Sequence, residues 1–183
     1  TNSDGVASAN LPINGAPRNA TVTATFPQAS NYKGSSASST IAITKNGSTT
    51  TLAQPEAVVF GQATSFTATV ARTDGTSNPT GTVQFTVNGA NFGNPVTLSG
   101  GVATLGGVDS LPAGSHNIGA VYSGDGNLNG STATSRTLAV DKAPTNTTLT
   151  STGSPTVSGE PVTFTATVDV VAPGAGSPAG GVQ

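Results

Sequence analysis

Cysteine, methionine and tryptophan are absent from this 183-residue chain, histidine occurs once, and only 8% of residues are charged. The lack of Cys excludes disulfides and is compatible with any redox compartment. A net charge of −2 and a pI near 5.0 leave no electrostatic footprint for nucleic acid or an acidic membrane, and the six basic residues are too scattered to form a patch. No apolar run approaches the roughly 18 to 20 residues of a membrane-spanning helix, and no signal-peptide pattern is visible. Helical periodicity is missing too: no window of a dozen residues places apolar side chains at i, i+3, i+4 and i+7.

Threonine, serine, glycine and asparagine dominate instead, and apolar residues alternate with polar ones. Phe66, Ala68 and Val70 alternate with Thr67 and Thr69. Val83, Phe85 and Val87 alternate with Gln84 and Thr86, and Ile118, Ala120 and Tyr122 with Gly119 and Val121. This is the period of strands with one buried and one wet face. Turn chemistry separates the runs at Asp74-Gly75, Asn78-Pro79, Asn88-Gly89, Gly100-Gly101, Pro112-Ala113-Gly114 and Asp125-Gly126. Seven strands are expected near 48–53, 64–71, 81–88, 95–99, 101–105, 115–123 and 132–141. That pattern predicts an all-β, immunoglobulin-like antiparallel β-sandwich. Its expected core is Phe66, Val70, Val83, Phe85, Val102, Ile118, Ala120, Tyr122 and Leu138.

The chain repeats itself. Phe66-Thr67-Ala68-Thr69-Val70 returns as Phe164 to Val168, Thr49-Thr50-Thr51-Leu52 as Asn146-Thr147-Thr148-Leu149, Gly101-Val102-Ala103 as Gly5-Val6-Ala7, and Asn127, Gly130 and Ser131 as Asn31, Gly34 and Ser35. The offset drifts only between about 96 and 99 residues, the length of one small domain rather than of a solenoid turn. The expected organisation is the carboxy-terminal half of one module at 1–45, a complete module at 46–142, and the amino-terminal half of the next at 143–183. A piece of about 40 to 45 residues rarely folds alone without a staple. Each half is therefore expected to need a partner, from a longer parent chain or a neighbouring subunit. The short junctions Lys45-Asn46-Gly47-Ser48 and Lys142-Ala143-Pro144-Thr145 limit bending.

Several of these motifs together resemble the bacterial immunoglobulin-like domain repeats of large surface and secreted proteins. They are the opening Thr49-Thr50-Thr51-Leu52, the Gly61 to Val70 strand, Pro79-Thr80-Gly81-Thr82-Val83-Gln84-Phe85, Gly101-Val102-Ala103-Thr104, the Leu111 to His116 turn, and Tyr122-Ser123-Gly124-Asp125-Gly126-Asn127. The resemblance implies a β-sandwich acting as a spacer, stalk or filament module outside the cell or on its surface, with no catalytic residues. The first partial copy departs from the pattern: Phe26 stands for Tyr122, and Pro27-Gln28-Ala29-Ser30-Asn31 for the Ser-Gly-Asp-Gly-Asn stretch.

Candidate chemistry is sparse. Asp125-x-Asn127-x-Asn129-Gly130 imitates the start of a calcium loop, but the twelfth position is Arg136 rather than a bidentate Glu, and the other copy carries Ala29 at the first. A tight turn is the expected reading. His116 has no ligand cluster nearby in sequence and is expected at a strand edge or core margin. Lys45 and Lys142 occupy equivalent places beside the junctions, where a solvated charge is expected rather than a Lys–Asn cross-link. Four Asn-x-Ser/Thr triplets, at Asn19, Asn46, Asn129 and Asn146, suit an exposed protein but arise readily in this composition.

No catalytic residue, cofactor or metal is expected, and the chain is not read as an enzyme. The leading expectation is a structural module of an extracellular rod, stalk or filament. Its partners would be adjacent immunoglobulin-like modules, within a longer chain or head-to-tail between subunits. The alternative is an adhesin-type module recognising a surface carbohydrate or protein through its loops.

Overall fold

The computed structural model describes residues 5–13, 15–75 and 78–183, and among them every regular element is a strand. The amino-terminal hairpin is β1 (Arg18–Phe26) and β2 (Ser35–Ile43). The central sandwich follows as β3 (Ser48–Leu52), β4 (Val58–Val59), β5 (Thr64–Arg72), β6 (Thr82–Val87), β7 (Ala90–Asn91), β8 (Val96–Thr97), β9 (Val102–Val108), β10 (Gly114–Tyr122), β11 (Ser131–Thr132) and β12 (Arg136–Asp141). A carboxy-terminal hairpin of β13 (Thr145–Ser151) and β14 (Phe164–Val170) completes the order.

Two sheets face each other in the central sandwich. One runs β3-β5-β9; the other runs β4-β12-β10-β6-β7, with β11 also on β10 and β8 also on β6. All pairings are antiparallel except β4 with β12. The turns fit the sequence. Asn88 (φ 52°) and Gly89 (φ 84°) both adopt the left-handed region between paired Val87 and Ala90, which a two-residue hairpin of type I′ requires. Gly100 (φ 59°) and Gly101 (φ 83°) do the same between bridged Ser99 and Val102.

Alternation fills the space between the sheets. Leu52, Phe66, Ala68, Val70 and Ala103 from the first sheet meet Val83, Phe85, Ile118, Ala120, Tyr122, Leu138 and Val140 from the second, all buried. Phe66 packs tilted against both Phe85 and Phe92, with ring centroids 6.2 and 6.3 Å apart, within the range of favourable aromatic pairs.

The sequence expectation holds strand by strand with three differences. The strand expected at 132–141 is two pieces, β11 and β12, separated at Ala133–Ser135. The short β4 and β7 were not expected. Val102, expected in the core, is 37% exposed, and Ala103 is buried in its place. The Gly100-Gly101 turn sets Val102 opposite Thr69 and Ala103 opposite Ala68. Side chains alternate between faces, so a phase shift of one residue turns Val102 outward.

The flanking hairpins reproduce the central registers. Leu149 pairs with Ala166 as Leu52 pairs with Ala68. Arg18 pairs with Ile43 as Gly114 pairs with Val140, and Phe26 with Ser35 as Tyr122 with Ser131. The extra residue between β11 and β12 is missing from the first copy, so β2 runs uninterrupted along β1.

Candidate functional site

The polar residues singled out in the sequence gather at the two ends of the central sandwich, where the chain enters and leaves it. Asp125 sits in the loop after β10. Its Oδ1 accepts the N–H groups of Asn127 and Leu128, both at 2.8 Å, and its Oδ2 accepts the N–H of Thr80 at 3.0 Å and the Thr80 hydroxyl at 2.9 Å. Partial burial opposes ionisation, but these four donors together outweigh it and hold the carboxyl well below the usual carboxylate range. Both oxygens are engaged by N–H and O–H groups, so the residue anchors the loop. Among the described residues no three His, Cys, Asp or Glu side chains cluster as metal ligands would.

Tyr122 reads the same loop from beneath. Its hydroxyl donates to the Thr80 carbonyl at 2.6 Å, and burial followed by the nearby Asp125 charge pushes its pKa up to about 12. Gly81 (φ +93°) lets the chain pass here: a Cβ would lie 2.7 Å from the Gly124 carbonyl oxygen.

His116 lies on the core-facing side of β10 and is buried. Its Nε2 lies 2.8 Å from the Pro112 carbonyl, which only accepts, so this nitrogen carries the proton. Nδ1 then accepts from the Asn88 amide at 3.4 Å, while Asn88 Oδ1 accepts the Asn117 N–H at 2.8 Å. Both ring nitrogens serve the fold at the core margin, where the sequence expectation put them.

The Asp125 loop also grips the entering chain, which the sequence reading missed. Lys45 is exposed, as expected, and its Nζ also donates to the Asp125 carbonyl at 2.6 Å. Asn46 donates its N–H to the Asn127 carbonyl at 2.8 Å and accepts the Asn129 N–H at 2.9 Å, a parallel bridge. Ser48 Oγ donates to the Asn129 carbonyl at 2.7 Å. On the other side, the Asn46 amide donates to Asp74, which holds Arg72 in a bidentate pair at 2.8 and 2.7 Å. A polar cleft of about 500 Å³ lies between these groups and Ile13, Pro17 and Ile43 of the amino-terminal segment.

The opposite end is apolar. Phe60 donates its N–H to the Asp141 carbonyl at 2.8 Å and accepts the Ala175 N–H at 3.2 Å. Gly61 (φ +81°) permits this approach: a Cβ there would lie 2.5 Å from the Ala175 oxygen. A cavity of about 290 Å³ beside the seam is lined by Phe60, Pro112, Ala143, Val170 and Pro178. Lys142, the counterpart of Lys45, lies on its wall.

A two-layer, all-β sandwich closed by these turns is an immunoglobulin-like domain. Residues 50–141 match the family model for the bacterial Ig-like domain (group 3), and the chain belongs to that family. Domains of this kind are typically surface-exposed. Among the described residues no helix is long and apolar enough to cross a membrane. Among solved structures, the chain is similar to the CARDB domain of a Pyrococcus furiosus protein, crystallised in complex with di-metal ions. The identity is 18% and the TM-score 0.39, over 55% of this chain and 97% of that one. No curated protein matches the sequence.

Proposed function

We propose that this chain is a stretch of an extracellular rod, stalk or filament, in which tandem immunoglobulin-like modules act as spacers. The modules would be 1–45, 46–142 and 143–183, the outer two incomplete. The observation that carries the reading is the identity of register: hairpins with the pairing of β10–β12 and of β3–β5 stand before and after one complete sandwich. The junctions support stiffness. The Lys45 ammonium donates to the Asp125 carbonyl and the Ala175 N–H to the Phe60 carbonyl, so each outer module is held to the central one by more than its linker. Sparsely charged, threonine-rich strands suit a solvated spacer.

Small-angle scattering on chains of two, four and six tandem copies of 46–142 tests this. A rod gives a maximum dimension that grows linearly, by about 40 Å per module, as strands of about eight residues at 3.4 Å each plus loops require. Growth as roughly the square root of module number, as for a flexible string, would overturn it.

A further inference from the structure

Among the described residues, Asn46, Asn88 and Asn129 each precede a glycine. The Asn-Gly pair is chemically labile, because a glycine nitrogen has no neighbouring side chain to shield it and can attack the asparagine amide. The fold decides which amide lies within its reach. Asn46 is half-buried at the entrance of the central sandwich. Its main chain is clamped: the N–H donates to the Asn127 carbonyl and the carbonyl accepts the Asn129 N–H. Its side chain is held at three points. Oδ1 accepts the Gly47 N–H at 2.6 Å and the Thr73 hydroxyl at 3.0 Å, and Nδ2 donates to Asp74. Asp74 is fixed in turn by its bidentate pair with Arg72. A side chain at Gly47 would crowd this arrangement, since a Cβ there would lie 3.1 Å from both Oγ1 and Cγ2 of Thr73.

These contacts are the ones that ring closure onto the Asn46 Cγ needs. The Gly47 nitrogen already stands beside the amide, which removes the entropy of bringing the two together. The Thr73 hydroxyl donates to the oxygen on which negative charge develops, as an oxyanion donor does. Asp74 holds the departing nitrogen on the far side of the amide. Asn46 also lines the polar cleft of about 500 Å³, so water has access to it. The other two pairs are placed differently. Asn88 Oδ1 accepts the Asn117 N–H at 2.8 Å and its Nδ2 faces His116, so its amide is held against β10. Asn129 is exposed, and its side chain makes no hydrogen bond among the described residues.

We propose that Asn46 is a self-modification site, at which the Gly47 nitrogen displaces ammonia from the asparagine side chain and the resulting succinimide opens with water. The bond from the Gly47 nitrogen to Cγ forms and the Cγ–Nδ2 bond breaks. The Gly47 proton passes to solvent, and the leaving nitrogen takes a proton from solvent and departs as ammonia. Water then adds to one of the two imide carbonyls. Opening at Cγ gives aspartate; opening at the main-chain carbonyl gives isoaspartate, with one more carbon in the backbone. Either product puts a carboxylate against Asp74 where the amide was a donor. Isoaspartate also displaces the carbonyl that accepts the Asn129 N–H. The modification therefore loosens the hold of the 127–129 loop on the entering chain as the protein ages.

The test is to age the 183-residue chain in mildly alkaline buffer, folded or in guanidinium chloride. Peptide mass spectrometry then follows loss of ammonia at each Asn-Gly pair. Asn46 is expected to react several-fold faster folded than unfolded, whereas Asn88 slows on folding. Thr73→Val, at an exposed position, is expected to slow Asn46 by roughly tenfold, less than an enclosed oxyanion hole supplies, and to leave Asn88 and Asn129 unchanged. An Asn46 that reacts no faster folded than unfolded would overturn the proposal, as would an unchanged rate in a Thr73→Val chain that melts like wild type. Hydrogen exchange at the Asn129 N–H reads the loosening. It is expected to rise in the aged chain and in Asn46→Asp, and exchange that stayed slow in both would overturn that consequence.

Discussion

The Tyr122 hydroxyl donates to the Thr80 carbonyl at 2.6 Å, and the same Thr80 gives its N–H and its hydroxyl to Asp125. Thr80, two residues before β6, is thus held by the last residue of β10 and by the loop that follows it. Tyr122→Phe removes the donor and leaves the ring in place. Loss of one hydrogen bond of this kind costs about 1 kcal/mol, lowering the midpoint of urea unfolding without changing its slope. The tyrosine also carries a pH dependence. Its folded pKa is raised to about 12 from 10.0, so its contribution is complete below about pH 10 and is lost as pH rises from there through about 12. Alkaline unfolding of the Phe variant should lack that component.

Asp125→Asn keeps the shape but replaces one of two acceptor oxygens by a donor facing donors. A loss of about 1 to 3 kcal/mol is expected at neutral pH, since hydrogen bonds to a charged group exceed neutral ones but the loop is partly solvated. The folded carboxyl titrates below its unfolded value of 3.8, so its contribution is present above that value and decays as pH falls below it. The difference between wild type and variant should narrow as pH falls below 3.8. A difference constant with pH would show that the loss comes from the misplaced amide donor and not from the carboxylate charge.

The phase of β9 is tested by a pair of substitutions. Ala103 is 1% exposed and faces Ala68, so Ala103→Leu overpacks the core and costs about 1 to 3 kcal/mol. Val102→Thr, on the wet face, stays within about 0.5 kcal/mol. Thermal melts that reversed this order would restore Val102 to the core.

Gly81→Ala meets both a left-handed backbone and a Cβ only 2.7 Å from the Gly124 oxygen. The combined strain should lower stability by about 2 kcal/mol or more. Gly106→Ala is the control, because nothing lies within 4 Å of its Cβ position and its φ is not in the left-handed region. It should be neutral or slightly stabilising in the same calorimetric scan.

Much of this architecture is legible in the sequence. Period-two alternation at Phe66–Val70, Val83–Val87 and Ile118–Tyr122 specifies half-buried strands, and Asn88-Gly89 and Gly100-Gly101 specify two-residue hairpins, because both signals act over a few neighbouring residues. The short β4 carries no such signal. Val58–Val59 is too brief for a period and exists because β12 passes alongside it. The phase of Val102 depended on where the Gly100-Gly101 turn closed, which alternation alone does not fix across so short a run.

The sequence by itself determined the all-β class, the repeat of about 97 residues and the turn positions, since each follows from local pattern or self-similarity. Only the tertiary structure decided what the polar loop residues do. Lys45 and Asp125 are 80 residues apart in the chain, and Phe60 and Ala175 are farther still, so no local pattern reports their contact. Folding brought the strand ends together, and that apposition turned a Ser-Gly-Asp-Gly-Asn turn into a clamp on the entering chain.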